Sequence, residues 1–266
     1  MTKVAEFAKQ FNEPSPSQRC AEPSPSQRCA EPSPSQRCAD PAYVRELRRH
    51  IYAPNVKPIN ELVDRLHAEH PDRFIPHVAP TYGGRNARIL ALFQSPGWSS
   101  TPHHDGPGMI CHENVDSSSI RHKNFLDEYK IDIEDVVSWN AFPWSGYDKN
   151  RSLKEERQAT LALEELLELL PNLTAVMLHG RVAQDAWERL LRHNPRAANR
   201  PYVIETYHTS ARLVDPSSNS ATLIERYENN LHEAFHKAAM HLRPVRYPEQ
   251  SDYVQVDDAQ AGEPPF

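Results

Sequence analysis

The stretch Arg88–Gly97, RILALFQSPG, decides the fold of this chain. Residues 89–93 form an unbroken apolar run, and a Pro-Gly pair follows after two polar residues. A short apolar run bounded by such a turn signal is typical of a buried strand in an α/β protein. In that architecture, loops at the carboxyl ends of the strands hold the ligand. We therefore predict a core strand at 88–93 and a binding-site floor in the loop that follows it.

Helices and strands alternate on either side of this stretch. Apolar spacing and capping residues predict helices at 41–51, 58–70, 118–129, 153–170, 181–193 and 220–241. Short apolar runs predict further strands at 135–140, 173–178 and 202–207. Strands separated by helices pair in parallel and carry helices on both faces of the sheet. The expected fold class is α/β, a three-layer sandwich with a central four-stranded parallel sheet flanked by helices on both faces.

The two ends of the chain have compositions that disfavour folding. The nine-residue sequence EPSPSQRCA occurs three times in succession, beginning at Glu13. These copies are rich in Pro and Ser and have few large apolar side chains, so they cannot bury enough surface to fold. Residues 247–266 carry five acidic side chains and no Lys or Arg, which is typical of a solvated tail. We predict a disordered tail over 1–40, one folded domain over 41–245 and an acidic disordered tail over 246–266.

The cysteine pattern argues against a metal site. Cys20, Cys29 and Cys38 all lie in the repeats, so Cys111 is the one cysteine expected in the folded domain. A spacing of nine residues in a disordered repeat is not a metal-ligand spacing, which favours a duplicated linker over an iron-sulfur or zinc site. The His-His-Asp run at 103–105 is weak evidence for a metal, because adjacent side chains point in different directions. No metal and no cofactor is predicted.

The overall composition excludes some classes of protein. The chain has 266 residues, 38% of them hydrophobic and 25% charged, which suits one globular domain with unstructured ends. No apolar stretch approaches the roughly 18 residues of a membrane helix, and the N-terminal residues lack the apolar centre of a signal peptide. We expect a cytoplasmic monomer that does not contact membranes. The net charge of -6 leaves a nucleic-acid partner open, because such binding follows a local basic patch.

Each predicted strand ends in polar or unusual residues. These endings are Gln94–Gly97, Trp139–Trp144, His179–Arg181 and His208–Ser210. The carboxyl ends of parallel strands lie at one edge of a sheet, so the four endings are expected to converge on one pocket. For any single residue among them a structural role is the commoner explanation. The four endings together predict a functional site.

The residue types at these endings suit recognition of a nucleobase. The Asn140 amide donates and accepts hydrogen bonds, which matches the edge of a pyrimidine. His208 can donate a hydrogen bond to an oxygen that gains negative charge, or act as an acid or base. Gly180 and Arg181 open a helix and can hold a phosphate there. Four aromatic residues either stack on the ligand or pack in the core: Tyr82, Trp98, Phe142 and Trp144.

The order and spacing of five segments resemble the bacterial branch of the uracil-DNA glycosylase superfamily. The segments are NARILALFQSPG (86–97), GMICHEN (108–114), SWNAFPW (138–144), LHGRVAQDAW (178–187) and HTSARL (208–213). That superfamily carries a Gly-Gln-Asp-Pro-Tyr-like or Gly-x-Asn-Pro-Gly-like motif after the first sheet strand and a His-Pro-Ser-like motif after the last. The counterparts here are FQSPG and HTS. The resemblance covers roughly residues 78–213, most of the predicted domain.

The resemblance implies excision of uracil or a related damaged base from single- or double-stranded DNA. The family flips a nucleotide into a pocket at the strand ends and breaks its N-glycosidic bond. Asn140 would then read the base, and His208 would stabilise the anionic leaving group. Gln94 and Ser95 occupy the place where the family positions or activates the attacking water.

The resemblance also assigns binding residues. Pro96, Gly97, Met109 and Ser210 fall where the family contacts the base, and Met109 stands where an aromatic stacker is usual. Arg212 and Leu213 fall where the family contacts DNA, and Arg181, at the start of a predicted helix, is a third predicted DNA contact. Either Arg212 or Leu213 would be wedged into the helix to hold the gap open.

The departures from the family pattern leave alternatives open. Ser95 replaces the usual Asp or Asn and is a poor base at neutral pH. Five residues in the following loop are possible substitutes for it: His103, His104, Asp105, His112 and Glu113. Thr209 replaces the usual Pro, which blurs the substrate choice further. Two alternatives to the glycosylase hypothesis remain: a catalytically silent protein that binds nucleic acid or nucleobases, and a hydrolase of small nucleoside-like molecules.

Overall fold

The computed structural model describes residues 34–97, 100, 107–146 and 150–242. The helices are α1 (Pro41–Arg49), α2 (Lys57–Glu69), α3 (Ser117–Glu128), α4 (Leu153–Glu168), α5 (Arg181–His193), α6 (Pro195–Ala198) and α7 (Ala221–Leu242). The strands are β1 (His77–Val78), β2 (Ile89–Phe93), β3 (Met109–Ile110), β4 (Val136–Asn140), β5 (Ala175–His179) and β6 (Tyr202–Thr206). None of the helices in these ranges is long and apolar enough to cross a membrane. Residues 1–33 and 243–266, which include most of both predicted tails, lie outside the description.

The main sheet has four parallel strands in the order β4-β2-β5-β6. β2 and β5 occupy the centre, and Ile89, Leu90, Ala91 and Leu92 of β2 are fully buried. Because β2 is buried on both faces, its residues are all apolar and do not alternate with polar ones. The predicted α/β class and the four-stranded parallel sheet are confirmed.

Helices cover both faces of the sheet. The crossovers through α4 and α5 both run toward the β6 edge, whereas the crossover from β2 to β4 through α3 runs the opposite way. Right-handed crossovers in opposite directions place their helices on opposite faces. α7 packs on β5, β6 and α3, so α3 and α7 form one layer and α4 and α5 form the other. The predicted three-layer arrangement therefore holds.

A small second sheet was not predicted. β1 and β3 pair in parallel, with His77 beside Met109 and Val78 beside Ile110. Each strand has only two residues, which is too short for an alternating or apolar pattern to be recognised. This pairing fixes where the chain emerges from β3, and residues 110–114 then run along the carboxyl edge of the main sheet.

The predicted boundary of the N-terminal tail at residue 40 is wrong by several residues. Pro34–Ala39, the end of the third repeat, forms a 3-10 helix that packs on the domain. Cys38 is only 8% exposed, and its backbone N–H donates to the Glu113 carbonyl at 3.2 Å. Composition could not reveal this, because the docked copy and the two copies before it have the same sequence. Cys38 therefore joins Cys111 in the folded domain.

Gly83 lies directly against the backbone of residues 133–136. Its N–H donates to the carbonyl of Val136 at 3.0 Å, and a Cβ at this position would lie 1.7 Å from the Glu134 carbonyl oxygen. We expect Gly83→Ala to lower the free energy of unfolding by about 3 kcal/mol, because backbone on both sides must shift. For a domain of this size that loss lowers Tm by about 6–12 °C in a thermal melt.

Gly146→Ala is the matched control for this prediction. Gly146 has a positive φ of 79°, and no atom of the described residues lies within 4 Å of its would-be Cβ. Its cost is therefore that of a left-handed conformation alone, about 1 kcal/mol. Equal melting temperatures for the two variants would contradict the steric explanation at Gly83.

Candidate functional site

A cavity of about 130 Å³ opens at the carboxyl edge of the main sheet. Residues from the ends of β2, β4 and β6, the segment after β3 and the start of α3 line it. Those with polar or aromatic side chains that matter for its chemistry are Tyr82, Phe93, Ser95, Cys111, His112, Asn114, Asp116, Ser119, His122, Asn140 and His208. A cavity of about 150 Å³ holds benzene, so this one admits a single six-membered ring.

Strand register places Asn140 at the cavity. Asn140 is the last residue of β4 and pairs with Phe93, the last residue of β2. The Asn140 side chain is 6% exposed, and none of the described residues forms a hydrogen bond with its amide group. An amide that is nearly buried without partners is available to a ligand.

His208 has a defined tautomer. Its Nδ1 accepts a hydrogen bond from the Ser210 N–H at 3.0 Å, so Nδ1 carries no proton and the neutral ring carries its proton on Nε2. Burial lowers the pKa of His208, and the nearby Asp116 carboxylate opposes that effect only in part. His208 is therefore a neutral hydrogen-bond donor at the cavity.

The loop that carries His208 is tied to α3 and α5. The hydroxyl of the fully buried Thr209 donates to the Ser118 carbonyl at 3.0 Å. On the other side, Gly180 has a φ of 88°, and a Cβ there would lie 3.5 Å from the His208 Cβ. The positive φ is what requires glycine here, because a Cβ at 3.5 Å would make only an ordinary contact with His208.

Asp116 is held at the cavity as the N-cap of α3. Its Oδ1 accepts hydrogen bonds from the N–H groups of Ser118 at 3.1 Å and Ser119 at 3.0 Å. Its Oδ2 accepts from the Ser119 hydroxyl at 2.8 Å. Among the described residues that line the cavity, Asp116 has the only carboxylate. The N-cap geometry therefore fixes a negative charge close to His208.

Stacked rings form the floor of the cavity. The Phe93 ring lies parallel to the His179 ring, with centroids 4.4 Å apart, and meets His208 edge-on at 5.5 Å. His122 contacts Phe93 edge-on at 5.3 Å. His179 is buried beneath this layer and does not line the cavity. Of the four predicted strand endings, three therefore meet at the cavity, and the β5 ending supports them from below.

Three buried polar atoms at the cavity have no hydrogen-bond partner within the described part of the chain. They are the Oδ1 atom of Asn114, the Nε2 atom of His122 and the Oγ atom of Ser138, all from residues that are 2% exposed. A buried polar group without a hydrogen bond costs about 1–3 kcal/mol. These atoms are expected to gain partners when a polar ring enters the cavity.

His122 makes the stability of the domain depend on pH. Burial holds the pKa of His122 at about 3, whereas a histidine in the unfolded chain titrates near 6.5. Between the folded pKa of about 3 and the unfolded pKa near 6.5, the unfolded chain binds a proton at this histidine and the folded chain does not. The free energy of unfolding therefore falls as the pH drops. This group alone should remove about 2 kcal/mol between pH 7 and pH 5.

His122→Phe should therefore show a shallower loss of stability than the unsubstituted chain over this pH range. Urea unfolding at both pH values measures the difference, and a packing cost common to both pH values cancels. His236→Phe, at an exposed position on α7, serves as the control. The same pH dependence in His122→Phe and wild type would contradict the assignment.

Two residues predicted to contact the base, Met109 and Ser210, and one predicted to position the water, Gln94, do not line this cavity. Ile110 rather than Met109 is the β3 residue at the cavity, because successive strand residues face opposite sides. Gln94 also lies outside it, and its carbonyl accepts from the Phe142 N–H at 3.0 Å. Ser210 acts through its backbone on His208. The predicted residues Ser95, Pro96 and Gly97 do line the cavity, together with Asn140 and His208.

The three residues predicted to contact DNA lie on the surface around the β5 and β6 endings. The Arg181 side chain is 76% exposed and pairs with Asp185 at 2.7 Å. Arg212 and Leu213 lie in the 3-10 helix Ala211–Val214 that follows His208, with Arg212 exposed and Leu213 half-buried. Their placement beside the cavity leaves their role in DNA binding a prediction.

The proposed substitutes for Ser95 divide into three groups. His103, His104 and Asp105 lie outside the described residues, as does Trp98. His112 lines the cavity, whereas Glu113 is turned away from it and binds Tyr43 and Arg37. Within the described ranges, no cluster of three or more His, Cys, Asp or Glu side chains is arranged to hold a metal ion.

Sequence reasoning missed the contribution of α3 to this site. Asp116 could have been recognised as an N-cap, because Asp-Ser-Ser-Ser precedes a predicted helix. His122 lies three and four residues before Phe125 and Leu126, which places it on the buried face of that helix. Tyr82 lines the cavity, whereas Phe142 and Trp144 pack in the core.

Comparisons with known proteins do not assign a family. No protein-family model matches the chain, and no curated protein matches it with significance.

Proposed function

We propose that this protein is a DNA glycosylase that removes uracil or a related damaged base by hydrolysis of the N-glycosidic bond. The observation that carries the proposal is the cavity at the strand ends, which admits one six-membered ring and surrounds it with polar groups. Asn140 offers an amide without a described partner, and Asn114, His122 and Ser138 each offer an unpartnered buried atom. A pyrimidine edge has the donors and acceptors to satisfy them.

The size of the cavity favours a flipped base as its occupant. The base ring fits, but the sugar and phosphates would remain outside, next to the surface that carries Arg212 and Leu213. A base that is part of duplex DNA must leave its stack to enter such a site. Either Arg212 or Leu213 then fills the gap in the helix.

The chemistry divides between His208 and Asp116. Cleavage of the glycosidic bond leaves negative charge on the departing base, and the neutral His208 Nε2–H is placed to donate a hydrogen bond to a base oxygen. The Asp116 carboxylate can orient the attacking water and stabilise positive charge on the sugar. Ser95 contributes a hydroxyl at the same cavity, but it is a poor base. In this proposal Asp116 supplies what Ser95 lacks.

The test is cleavage of a labelled oligonucleotide that contains one uracil, followed by alkali to break abasic sites. Single- and double-stranded forms are compared with a thymine-containing control. We expect cleavage by the full chain and loss of cleavage in Asn140→Ala. Asn229→Ala, an exposed asparagine on α7, should retain full activity.

The serine at position 95 favours a second candidate function, that of a silent binding protein. In that case the uracil oligonucleotide is bound but not cleaved, and Asn140→Ala weakens binding. Cleavage of free deoxyuridine without cleavage of the oligonucleotide would instead indicate a hydrolase of small nucleosides. If the protein neither binds nor cleaves any of these substrates, the proposal is refuted.

A further inference from the structure

Cys38 and Cys111 form a pair of buried free thiols at the wall of the cavity. They are 8% and 2% exposed, and their side chains lie close enough for each thiol to shift the pKa of the other. Cys111 lines the cavity, whereas Cys38 belongs to the third EPSPSQRCA copy. The pair thus lies between the end of the repeated segment and the wall of the cavity.

Glu113 holds the third repeat in this position. The Cys38 N–H donates to the Glu113 carbonyl at 3.2 Å, and the Arg37 guanidinium lies 3.5 Å from the Glu113 carboxylate. The Tyr43 hydroxyl donates to the same carboxylate, and the Arg37 guanidinium lies 3.8 Å from the Tyr43 ring centre. Glu113 is 5% exposed, whereas the Arg37 side chain is 54% exposed, so water screens this ion pair on the arginine side. The contacts fix Cys38 next to Cys111 in the reduced protein.

The surroundings of Cys111 make it the more reactive thiol of the two. Its sulfur accepts a hydrogen bond from the Glu113 N–H at 3.5 Å, and the Cys38 and His112 side chains lie close enough to stabilise its thiolate. These three groups lower the pKa of Cys111. The contact between the two thiols, together with burial, raises the pKa of Cys38. A thiolate is the nucleophile in thiol oxidation, and a neighbouring thiol can then resolve the product. The cavity gives a small oxidant a route to the Cys111 sulfur.

We propose that Cys38 and Cys111 are a hydroperoxide-reactive pair that closes to a disulfide. The Cys111 thiolate attacks one peroxide oxygen, the O–O bond breaks, and an alcohol leaves, or water when the oxidant is hydrogen peroxide. Cys111 is then a sulfenic acid. The Cys38 sulfur attacks the Cys111 sulfur, the S–O bond breaks, and water leaves with the Cys38 proton. Two thiols lose two electrons and the hydroperoxide gains them.

The disulfide would change both the tail and the cavity. It would link residues 34–39 covalently to the segment after β3 and remove the Cys111 thiolate from the cavity wall. This proposal does not depend on the glycosylase proposal, because it requires only the two thiols and their surroundings.

The test uses the full chain and peptide mapping under non-reducing conditions after mild hydrogen peroxide treatment. Cys20 and Cys29 are internal controls, because each lies in the same nine-residue sequence as Cys38. We expect Cys111 to be joined to Cys38, with a loss of two hydrogen masses. We also expect Cys111 to react about 10-fold faster than Cys20 or Cys29, owing to its larger thiolate fraction.

A variant with Cys20→Ser and Cys29→Ser should form the same disulfide at the same rate. Cys111 linked equally to all three repeat cysteines would overturn the proposal. So would a Cys111 that keeps its thiol while Cys20 and Cys29 are oxidised. The two overturning outcomes are measured on the unsubstituted chain, so they do not depend on the folding of any variant.

Discussion

His208→Ala is expected to lower the single-turnover rate of uracil excision by about 100- to 1,000-fold, the usual cost of removing one donor to a developing anion. The Ser210 N–H fixes the proton of the neutral ring on Nε2, and the His208 ring contacts the Phe93 ring edge-on. Substrate affinity should change much less than the rate, because the base carries little charge before the bond breaks. Rapid-quench kinetics with enzyme in excess, together with a binding titration, separate the two effects.

His193→Ala is the control for this variant. His193 is an exposed histidine on α5 that pairs with Glu164 at 3.0 Å, and its loss should leave the excision rate unchanged. The rate of the unsubstituted protein should fall in acid, because protonation of His208 at Nδ1 would break the hydrogen bond from Ser210. Burial lowers the pKa of His208, so this fall should come below the ordinary histidine range near pH 6.5. An unchanged rate in His208→Ala would remove His208 from the mechanism.

Asp116→Asn is expected to reduce excision by about 100- to 10,000-fold, the range for loss of a general base. Asparagine caps helices as well as aspartate does, so the N-terminus of α3 should remain intact in this variant. The substitution removes the charge and the basic oxygen but keeps the volume. A thermal melt should show nearly unchanged stability, which distinguishes a catalytic defect from a folding defect.

Two further variants define what the loss in Asp116→Asn means. Asp116→Ala removes the cap as well and should cost about 1 kcal/mol of stability in addition to activity. Ser95→Ala should reduce the rate far less than Asp116→Asn if the carboxylate handles the water. A larger loss in Ser95→Ala would instead assign the water to the first motif, as its position in the sequence suggests.

The architecture of this protein could be predicted from local patterns. The helices α1 to α5 and α7, and the four strands of the main sheet, begin and end within about two residues of the predicted bounds. Burial on both faces makes each strand a short apolar run, and each long helix carries an apolar stripe, so the period of the pattern reports the element. Asn140, His208 and the Ser95–Gly97 turn could be predicted for the site because they directly follow such strands.

The repeated segment could not be predicted in the same way. The three EPSPSQRCA copies are identical, and the last one is followed directly by α1, so that its end contacts Glu113. This docking depends on a residue about 75 positions further along the chain as well as on Arg37 and Cys38 of the repeat. Composition describes what a segment can bury by itself and does not include what a neighbouring surface offers.

The sequence by itself determined the α/β class, the parallel sheet and the strand ends at which a site would form, because hydrophobic periodicity is a local property. Only the tertiary structure decided which side chains face the cavity. It placed Ile110 there instead of Met109, brought Asp116 and His122 in from α3, and paired Cys38 with Cys111. These outcomes depend on the β1–β3 pairing and on the packing of α3 against the loop of His208. Both are contacts between residues far apart in the chain, which no local pattern encodes.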